Sequence, residues 1–166
     1  TGPSLFKRGY RIEKGGAPLK ENMAAALVML TNWRKDRPFY DPVCGSGTIC
    51  IEAALIGHNI APGFNRSFTC ETWDWVDPAI FEKVRNEAEA KADYDVELDI
   101  CGSDVDGRMI EVARANAEEV GLGDSITFKQ LALKDFTTEK EYGVMVANPP
   151  YGERLGRSEE RRVGKE

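Results

Sequence analysis

Segments with the residue pattern of β-strands alternate with segments that have the pattern of helices along most of this 166-residue chain. Strands that are joined through helices run parallel, because each crossover returns the chain to the same end of the sheet. The alternation therefore predicts an α/β fold with a doubly wound, mostly parallel sheet and helices on both faces. The predicted strands are 37–41, 96–104, 125–133 and 141–150, the predicted helices are 19–33, 47–59, 77–93 and 107–121, and 60–75 is predicted to be an aromatic loop.

Several residues at the ends of these helices have the chemistry of caps. Asp77 followed by Pro78 is typical of a helix start, and Gly121 is typical of a helix end. His58, the single histidine, follows a predicted helix and is assigned to C-terminal capping instead of catalysis. Asp106 precedes the helix 107–121, and the sequence leaves capping and a functional role equally open for it.

Charge divides the chain unevenly, although the net charge is −6. Residues 1–40 carry eight Lys/Arg against three Asp/Glu, whereas residues 41–150 carry nine against 21. The acidic body argues against broad electrostatic wrapping of nucleic acid. The basic residues of the opening segment fit either phosphate contacts or solvation, and charge alone does not choose between them; they include Lys7, Arg8, Arg11, Lys14 and Lys20.

Composition also sets the expected domain organisation. We predict a basic lead-in and N-terminal helix at 1–40, a partial core at 41–156, and a disordered tail at 157–166, which lacks an apolar face. The sequence shows no membrane-spanning run and no signal-peptide pattern, so a cytoplasmic protein without a membrane partner is expected. The four cysteines lack C-x-x-C spacing, which favours reduced thiols and predicts no metal site; they are Cys44, Cys50, Cys70 and Cys101.

A glycine-rich turn, "DPVCGSGT" (41–48), joins the first predicted core strand to a helix. Gly45 and Gly47 allow a tight turn and close approach of a ligand to the backbone. The turn nearly matches the dinucleotide fingerprint, but Cys50 occupies the third glycine position. A carboxylate at Asp41 would repel a pyrophosphate and attract an ammonium group, which favours S-adenosylmethionine as the cofactor.

The same turn has a purely structural interpretation. Ser46 and Thr48 could cap the following helix, and a capped turn with two glycines needs no ligand. The residues around the next strand end, "CGSDVDG" (101–107), help to decide between the two. Asp104 can accept hydrogen bonds from the two ribose hydroxyls of a nucleoside, with Val105 packing near the adenine. Asp104 lies further along the chain from the glycine turn than is usual for such an acidic residue, and an inserted helix and loop at 60–95 would account for the gap.

The fourth predicted strand runs into "NPPY" (148–151). An exocyclic amine of a base is a poor nucleophile because its lone pair is delocalised. The side-chain oxygen of Asn148 and the carbonyl of Pro149 can accept hydrogen bonds from the two N–H groups of this amine. Consecutive prolines hold that carbonyl in place. Tyr151 can stack on a base that has left its helix. We therefore predict Asn148, Pro149, Pro150 and Tyr151 to be the catalytic residues.

Together these segments resemble the catalytic domain of Rossmann-like, S-adenosylmethionine-dependent methyltransferases, in particular THUMP-associated RNA methyltransferases of the ribosomal RNA guanine-N2 type. The segments that carry the resemblance are "KRGYR" (7–11), "APLKENMAAAL" (17–27), "DPVCGSGTICIEAALIGHNIAPGFNR" (41–66), "GSDVDGRMIEVARANAEEVG" (102–121) and "NPPYGERLG" (148–156). The resemblance implies a class I methyltransferase fold. It also implies a cofactor site formed by Asp41, Pro42, Cys44, Gly45, Ser46, Gly47, Thr48, Asp104 and Val105.

The chain departs from this family in three respects. The family often has an acidic residue near the adenine after the third strand, where this chain has Ala132; Asp135 follows and is the candidate for that contact. The fold is expected to be incomplete at its C-terminal strands, and the THUMP domain expected ahead of it is missing. A truncated sheet would expose one side, so self-association of such a fragment is expected.

The leading hypothesis is methyl transfer from S-adenosylmethionine to guanine N2 of ribosomal RNA, in ribosomal RNA processing. An adenine-N6 DNA methyltransferase is the nearest alternative, because Asn-Pro-Pro-Tyr suits that chemistry equally well. A nucleotide-dependent oxidoreductase and a non-catalytic RNA-binding module remain as alternatives from other functional classes.

Overall fold

The structure is a computed structural model that describes residues 2–11 and 18–150. Its centre is a four-stranded, wholly parallel sheet in the order β3-β2-β1-β4. The strands are β1 (Phe39–Asp41), β2 (Ile100–Asp104), β3 (Ile126–Gln130) and β4 (Val144–Met145). The α-helices are α1 (Glu21–Met29), α2 (Thr48–Gly57), α3 (Pro78–Lys91) and α4 (Gly107–Glu119). Short 3₁₀-helices occupy Thr69–Thr72, Gly123–Ser125 and Leu133–Asp135.

One face of the sheet packs against α2 and α4. A side chain added at Gly102 of β2 would meet Cys50 Sγ of α2 at 3.0 Å and Phe128 of β3 at 2.8 Å. Phe128 also lies beside Ala113 of α4, since both are about 3 Å from the position a side chain would take at Gly47. The two helices therefore share this face, and the core lies between them and the sheet. Helix α1 packs outside α2 through Ala24 and Val28.

The opposite face is covered differently in the described residues. Successive side chains of a strand point to opposite faces, so Tyr40 lies on the far side from Phe39. The Tyr40 ring packs edge-on against Phe136, and its hydroxyl lies 2.8 Å from the Thr138 hydroxyl. Met145, which pairs with Tyr40 in the neighbouring strand, is half exposed. Helices were expected on both faces; within residues 2–11 and 18–150, α2 and α4 pack on one face, and an irregular segment with Phe136 and Thr138 covers Tyr40 on the other.

The predicted helix ends are largely confirmed. Asp77 caps α3 by accepting a hydrogen bond from the Ala79 backbone at 3.0 Å, with Pro78 in the first position. Gly121 follows α4 with φ +71°, the left-handed conformation typical of a helix end. His58 is the C-cap residue of α2, and its buried ring bridges the Asp93 carbonyl and the Ser125 hydroxyl.

The strands are shorter than the sequence predicted. β2 begins at Ile100 and not at 96, and β4 covers only Val144 and Met145 of the predicted 141–150. β4 lies at an edge of the sheet, so it has one neighbour to pair with. Pro149 and Pro150 have no N–H to donate, which further limits strand pairing there.

The aromatic segment 60–75 holds the N-terminal residues against the body of the protein. Arg66 Nη1 donates to the carbonyls of Ser4 at 2.9 Å and Lys7 at 3.1 Å. Trp73 and Trp75 of the same segment stack on each other, with ring centroids 5.1 Å apart. The insertion predicted between the glycine turn and Asp104 therefore also anchors the basic lead-in.

Candidate cofactor and active site

The strand order determines where a ligand can bind. From β1 the chain passes to β2 on one side of the sheet and later to β4 on the other side. The connections thus reverse direction between β1 and β4, and in parallel sheets ligands bind in the crevice outside the strand ends at such a reversal. Asp41 ends β1, and Asn148 follows β4 by three residues. The turn that follows β1 (the cofactor turn) and the segment that begins at Asn148 (the catalytic motif) therefore lie at neighbouring strand ends.

The cofactor turn, residues 42–48, leads from β1 into α2. Gly45 and Gly47 have φ of 50° and 81°, and the Gly47 N–H donates to the Cys44 carbonyl at 2.8 Å. A side chain at Gly47 would lie 2.9 Å from Phe128 and 3.0 Å from Ala113, whereas one at Gly45 would meet nothing within 4 Å. Gly47 is thus required both by its backbone conformation and by its close packing; Gly45 is required by its conformation alone.

The structural alternative, in which Ser46 and Thr48 could cap α2, is not observed. Gly47 is the N-cap residue, and no side chain within the described parts of the chain makes the capping hydrogen bond. Gly47 has a left-handed conformation, and the Ser46 and Thr48 hydroxyls lie 3.3 Å from each other. The N–H groups at the start of α2 are left available to a ligand.

Asp41 is almost fully buried at the end of β1. Its Oδ1 accepts a hydrogen bond from the Val43 backbone at 3.2 Å. Burial, with a smaller contribution from the negative charge of Asp104, raises the pKa of the Asp41 carboxyl to about 7, against the opposing Val43 hydrogen bond. A cationic group brought into this crevice would favour the ionised form of Asp41.

Asp104 joins the cofactor turn to the end of β2. Its Oδ2 accepts a hydrogen bond from Gly45 N–H at 3.0 Å, and its Oδ1 accepts one from Asp106 N–H at 2.9 Å. The Asp106 side chain caps α4 by accepting the Arg108 N–H at 2.9 Å, which answers the open question about that residue in favour of capping. Hydrogen bonds from Arg108 also hold the pKa of the Asp106 carboxyl below its usual range.

Pro42 and Cys44 are buried residues of the turn. The Cys44 N–H donates to the Ser103 carbonyl of β2 at 2.8 Å, so the turn is pinned to the neighbouring strand. Burial, together with the nearby Asp41 and Asp104, raises the pKa of the Cys44 thiol. Cys44 is therefore a packing residue in its neutral form and not a thiolate nucleophile.

The predicted adenine contacts lie beyond Asp104. Val105 is 69% exposed, and its packing near an adenine stays a prediction. The Leu131 N–H donates to the Asp104 carbonyl at 2.9 Å, which brings the half-buried Ala132 close to this strand end. Asp135 is exposed in the 3₁₀-helix that follows, and its contact with an adenine stays a prediction.

The catalytic motif is exposed. Asn148, Pro149 and Pro150 are all exposed to solvent, and Tyr151 lies outside the described residues. The segment is attached through β4, whose backbone pairs with β1: Val144 N–H donates to the Pro38 carbonyl at 2.8 Å and Val146 N–H to Tyr40 at 3.0 Å. The motif thus begins two residues after Val146, whose N–H pairs with the residue that precedes Asp41.

Two residues at the cofactor turn were missed by the sequence analysis. Asn116 is buried on the inner face of α4 and donates through Nδ2 to the Ser46 carbonyl at 3.1 Å. Arg11 donates to the Thr48 hydroxyl at 3.0 Å. An asparagine between the buried Ala113 and Ala117 in a helical stripe is a recognisable signal, because a polar side chain there needs a partner. No local pattern connects Arg11 with Thr48.

Two further observations concern other kinds of site. No group of three or more His, Cys, Asp or Glu side chains in residues 2–11 and 18–150 is arranged to hold a metal ion. In the same part of the chain, every helix is too short or too polar to cross a bilayer.

Comparison with known sequences places this geometry in a family. The family model described as "RMKL-like, methyltransferase domain" matches residues 8–163. The Bacillus subtilis (strain 168) protein named "Putative RNA methyltransferase YpsC" is 64% identical over 156 residues, which are 94% of this chain and 40% of that protein. The "Ribosomal RNA large subunit methyltransferase K/L" of Shewanella baltica (strain OS185) is 45% identical over 161 residues, 94% of this chain and 23% of that protein.

Solved structures show the same fold. The crystal structure of SMU.472, "a putative methyltransferase complexed with SAH", has a TM-score of 0.90 and 62% identity, covering 98% of this chain and 42% of that one. The structure of "a predicted N6-adenine-specific DNA methylase from Listeria monocytogenes str. 4b F2365" has a TM-score of 0.88 and 65% identity, covering 96% and 42%. The predicted Rossmann-like methyltransferase fold is confirmed, and the chain spans about two fifths or less of the length of these relatives.

Proposed function

Because this chain belongs to the RMKL-like methyltransferase domain family, we propose that it carries the cofactor turn and catalytic motif of an S-adenosylmethionine-dependent RNA methyltransferase. The target we propose is the exocyclic N2 amine of guanine in ribosomal RNA. The observation that carries this proposal is the strand order, which brings the end of β1, with Asp41, next to the strand that leads to Asn148.

The cofactor turn fits S-adenosylmethionine. The two glycines leave the backbone open to a ligand, and the buried Asp41 carboxylate favours a cation over a pyrophosphate. Asp104 retains lone pairs for ribose hydroxyls while it braces Gly45. SMU.472, with 62% identity, was crystallised with SAH, which supports the same cofactor class for this chain. Family membership and Asp41 both disfavour the nucleotide-dependent oxidoreductase.

The catalytic motif fits an amine acceptor. When bound, S-adenosylmethionine supplies a methyl group activated by a positive sulfur, which leaves as a neutral thioether. The Asn148 side-chain oxygen and the Pro149 carbonyl are proposed to accept hydrogen bonds from the two N–H groups of the target amine, so that its lone pair points toward the methyl carbon. As the new N–C bond forms, the nitrogen becomes positive and loses one proton to water. Positioning of the amine against the methyl group accounts for most of the rate acceleration in this proposal, because the reaction needs no covalent intermediate with the protein.

The names of relatives support RNA as the substrate class. Two relatives are named as RNA methyltransferases, and one of them acts by its name on the large-subunit ribosomal RNA. The Listeria monocytogenes structure, described as an N6-adenine-specific DNA methylase, supports adenine N6 of DNA as the second candidate. Asn-Pro-Pro serves both amines alike, so the substrate is decided by residues around the motif.

A product analysis tests the proposal. The intact methyltransferase that contains this chain is incubated with labelled S-adenosylmethionine and with either unmodified ribosomal RNA or duplex DNA, and the products are digested to nucleosides. We expect labelled N2-methylguanine from the RNA and no label in the DNA. Labelled N6-methyladenine from DNA alone would replace the first candidate with the second. Tight binding of NAD without binding of S-adenosylhomocysteine would overturn both.

A further inference from the structure

Two arginines of the basic N-terminal segment point into the protein. Arg8 Nε lies 3.4 Å from Glu52 Oε1, and Arg11 Nη2 lies 3.4 Å from Glu21 Oε1. The two carboxylates are buried, and the arginine side chains are only 12% and 19% exposed. Of the basic residues for which the sequence left phosphate contacts open, these two are therefore used in internal ion pairs.

Only one of these pairs reaches the cofactor turn. Arg11 Nη2 donates to the Thr48 hydroxyl at 3.0 Å and to the Leu19 carbonyl at 2.8 Å. Thr48 is the first residue of α2, and its hydroxyl lies 3.3 Å from that of Ser46. Arg8 instead contacts Glu52, one helical turn further along α2. Arg11 thus contacts the last residue of the turn, whereas Asp104 and Asn116 contact the backbone of the two residues before Gly47.

The position of Arg11 is electrostatically unfavourable for the fold by itself. The N-terminus of a helix carries a partial positive charge, which repels a guanidinium. Removing a partly buried ion pair from water also costs solvation free energy, and the attraction between the two charges seldom exceeds that cost by much. Glu21 balances the charge of Arg11, yet its Oε2 is buried without a hydrogen bond within the described residues. A costly pair aimed at a ligand-binding turn indicates a role in the site beyond stabilising the fold.

We infer that Arg11 is a positioning residue: it fixes Thr48, and through Thr48 the glycine turn, in the conformation that receives the cofactor. The inference rests on the proposed function, since it concerns the same cofactor site. It assigns part of the basic lead-in to cofactor binding and not to RNA contact. Glu21 serves by holding the Arg11 guanidinium in place.

Arg8 provides a matched control. Arg11→Met and Arg8→Met each keep an unbranched side chain of similar length and each leave a buried carboxylate without its cation, so both should lower the unfolding temperature. Calorimetric titration of the intact protein with S-adenosylhomocysteine should separate them. We expect the dissociation constant to rise at least about tenfold in Arg11→Met, which is the scale of one lost charged hydrogen bond. In Arg8→Met the dissociation constant should change less than about twofold.

Two further variants exclude a merely structural explanation. Arg11→Met combined with Glu21→Met removes both charges together, so it should regain stability but stay weak in S-adenosylhomocysteine binding. Arg11→Lys keeps a cation that can donate but lacks the planar guanidinium, so it should restore part of the affinity. Equal affinities for the two single variants, or affinity that returns with stability in the double variant, would overturn the inference alone. A wild-type protein that binds no S-adenosylhomocysteine would overturn the proposed function as well.

Discussion

The cofactor turn and the catalytic motif lie at neighbouring strand ends but are built differently. The turn is buried or half buried, and backbone or side-chain hydrogen bonds from β2, α4 and the N-terminal segment hold it. Asn148, Pro149 and Pro150 are exposed, and they follow a two-residue edge strand. The turn is thus part of the core, whereas the motif extends from the core.

In terms of the proposed roles, this difference predicts that cofactor binding and catalysis can be changed separately. A change in the turn disturbs packed neighbours, so it should affect stability and cofactor affinity together. A change in the exposed motif alters few packed contacts, so it should affect the reaction with little effect on stability. The following experiments test whether the two regions can be separated in this way.

The largest effect is expected at Asn148. Asn148→Ala removes one of two acceptors for the target amine, so methyl transfer should fall by about 10²-fold or more, as for the loss of one oriented catalytic group. The dissociation constant for S-adenosylhomocysteine and the unfolding temperature should stay as in the wild type. The measurements are single-turnover methyl transfer, calorimetric titration and thermal unfolding.

Asn86 provides the control for this experiment, since it is exposed on α3. Asn86→Ala should leave all three measurements unchanged. Normal methyl transfer by Asn148→Ala would contradict the mechanism. A parallel loss of stability would show that the motif is more firmly packed than its exposure indicates.

The second effect compares the two glycines of the turn. Gly47→Ala places a methyl group about 3 Å from Phe128 and Ala113 in a left-handed conformation, whereas Gly45→Ala meets only the conformational strain. We expect a loss of about 2 kcal/mol or more for Gly47→Ala and about 1 kcal/mol for Gly45→Ala in the free energy of unfolding. Urea titration measures both. Similar losses would show that the turn is less tightly packed than the structure indicates.

The third test is a pH dependence at Asp41. The folded protein raises the pKa of this carboxyl from its ordinary 3.8 to about 7. The folded state therefore holds a proton that the unfolded state releases, and the contribution to stability is present at low pH and is lost as pH rises from about 4 through about 7. Asp41→Asn should flatten this decline, which urea unfolding at several pH values would measure.

Cofactor binding should show the opposite trend at the same residue. A cationic ligand favours the ionised carboxylate, so binding below about pH 7 should release a proton and strengthen as pH rises. Titration with S-adenosylhomocysteine in buffers of different ionisation enthalpy detects that proton. Asp124→Asn, at an exposed aspartate, is the control and should behave as the wild type. A proton release that persists in Asp41→Asn would assign the effect to another group.

The sequence alone predicted that the main candidate residues lie at strand ends. Strand periodicity, the glycine pattern and the Asn-Pro-Pro motif placed Asp41, Asp104 and Asn148 at strand ends, and the observed parallel sheet places them there. These predictions succeeded because each rests on local chemistry: glycine conformation, proline geometry, and the alternation of strands and helices. The capping role that the sequence left open for Ser46 and Thr48 is not observed, because Gly47 is the N-cap residue of α2.

Local pattern determined the elements, the turn and the motif of this protein, because backbone preferences act over a few residues. Only the tertiary structure decided that Arg11 reaches Thr48, that Asn116 supports Ser46, and that burial raises the pKa of Asp41. These features join residues 37 and 70 positions apart in the chain, or depend on how much water the fold removes from a side chain. Neither separation nor solvent exclusion is encoded in any single stretch of the sequence.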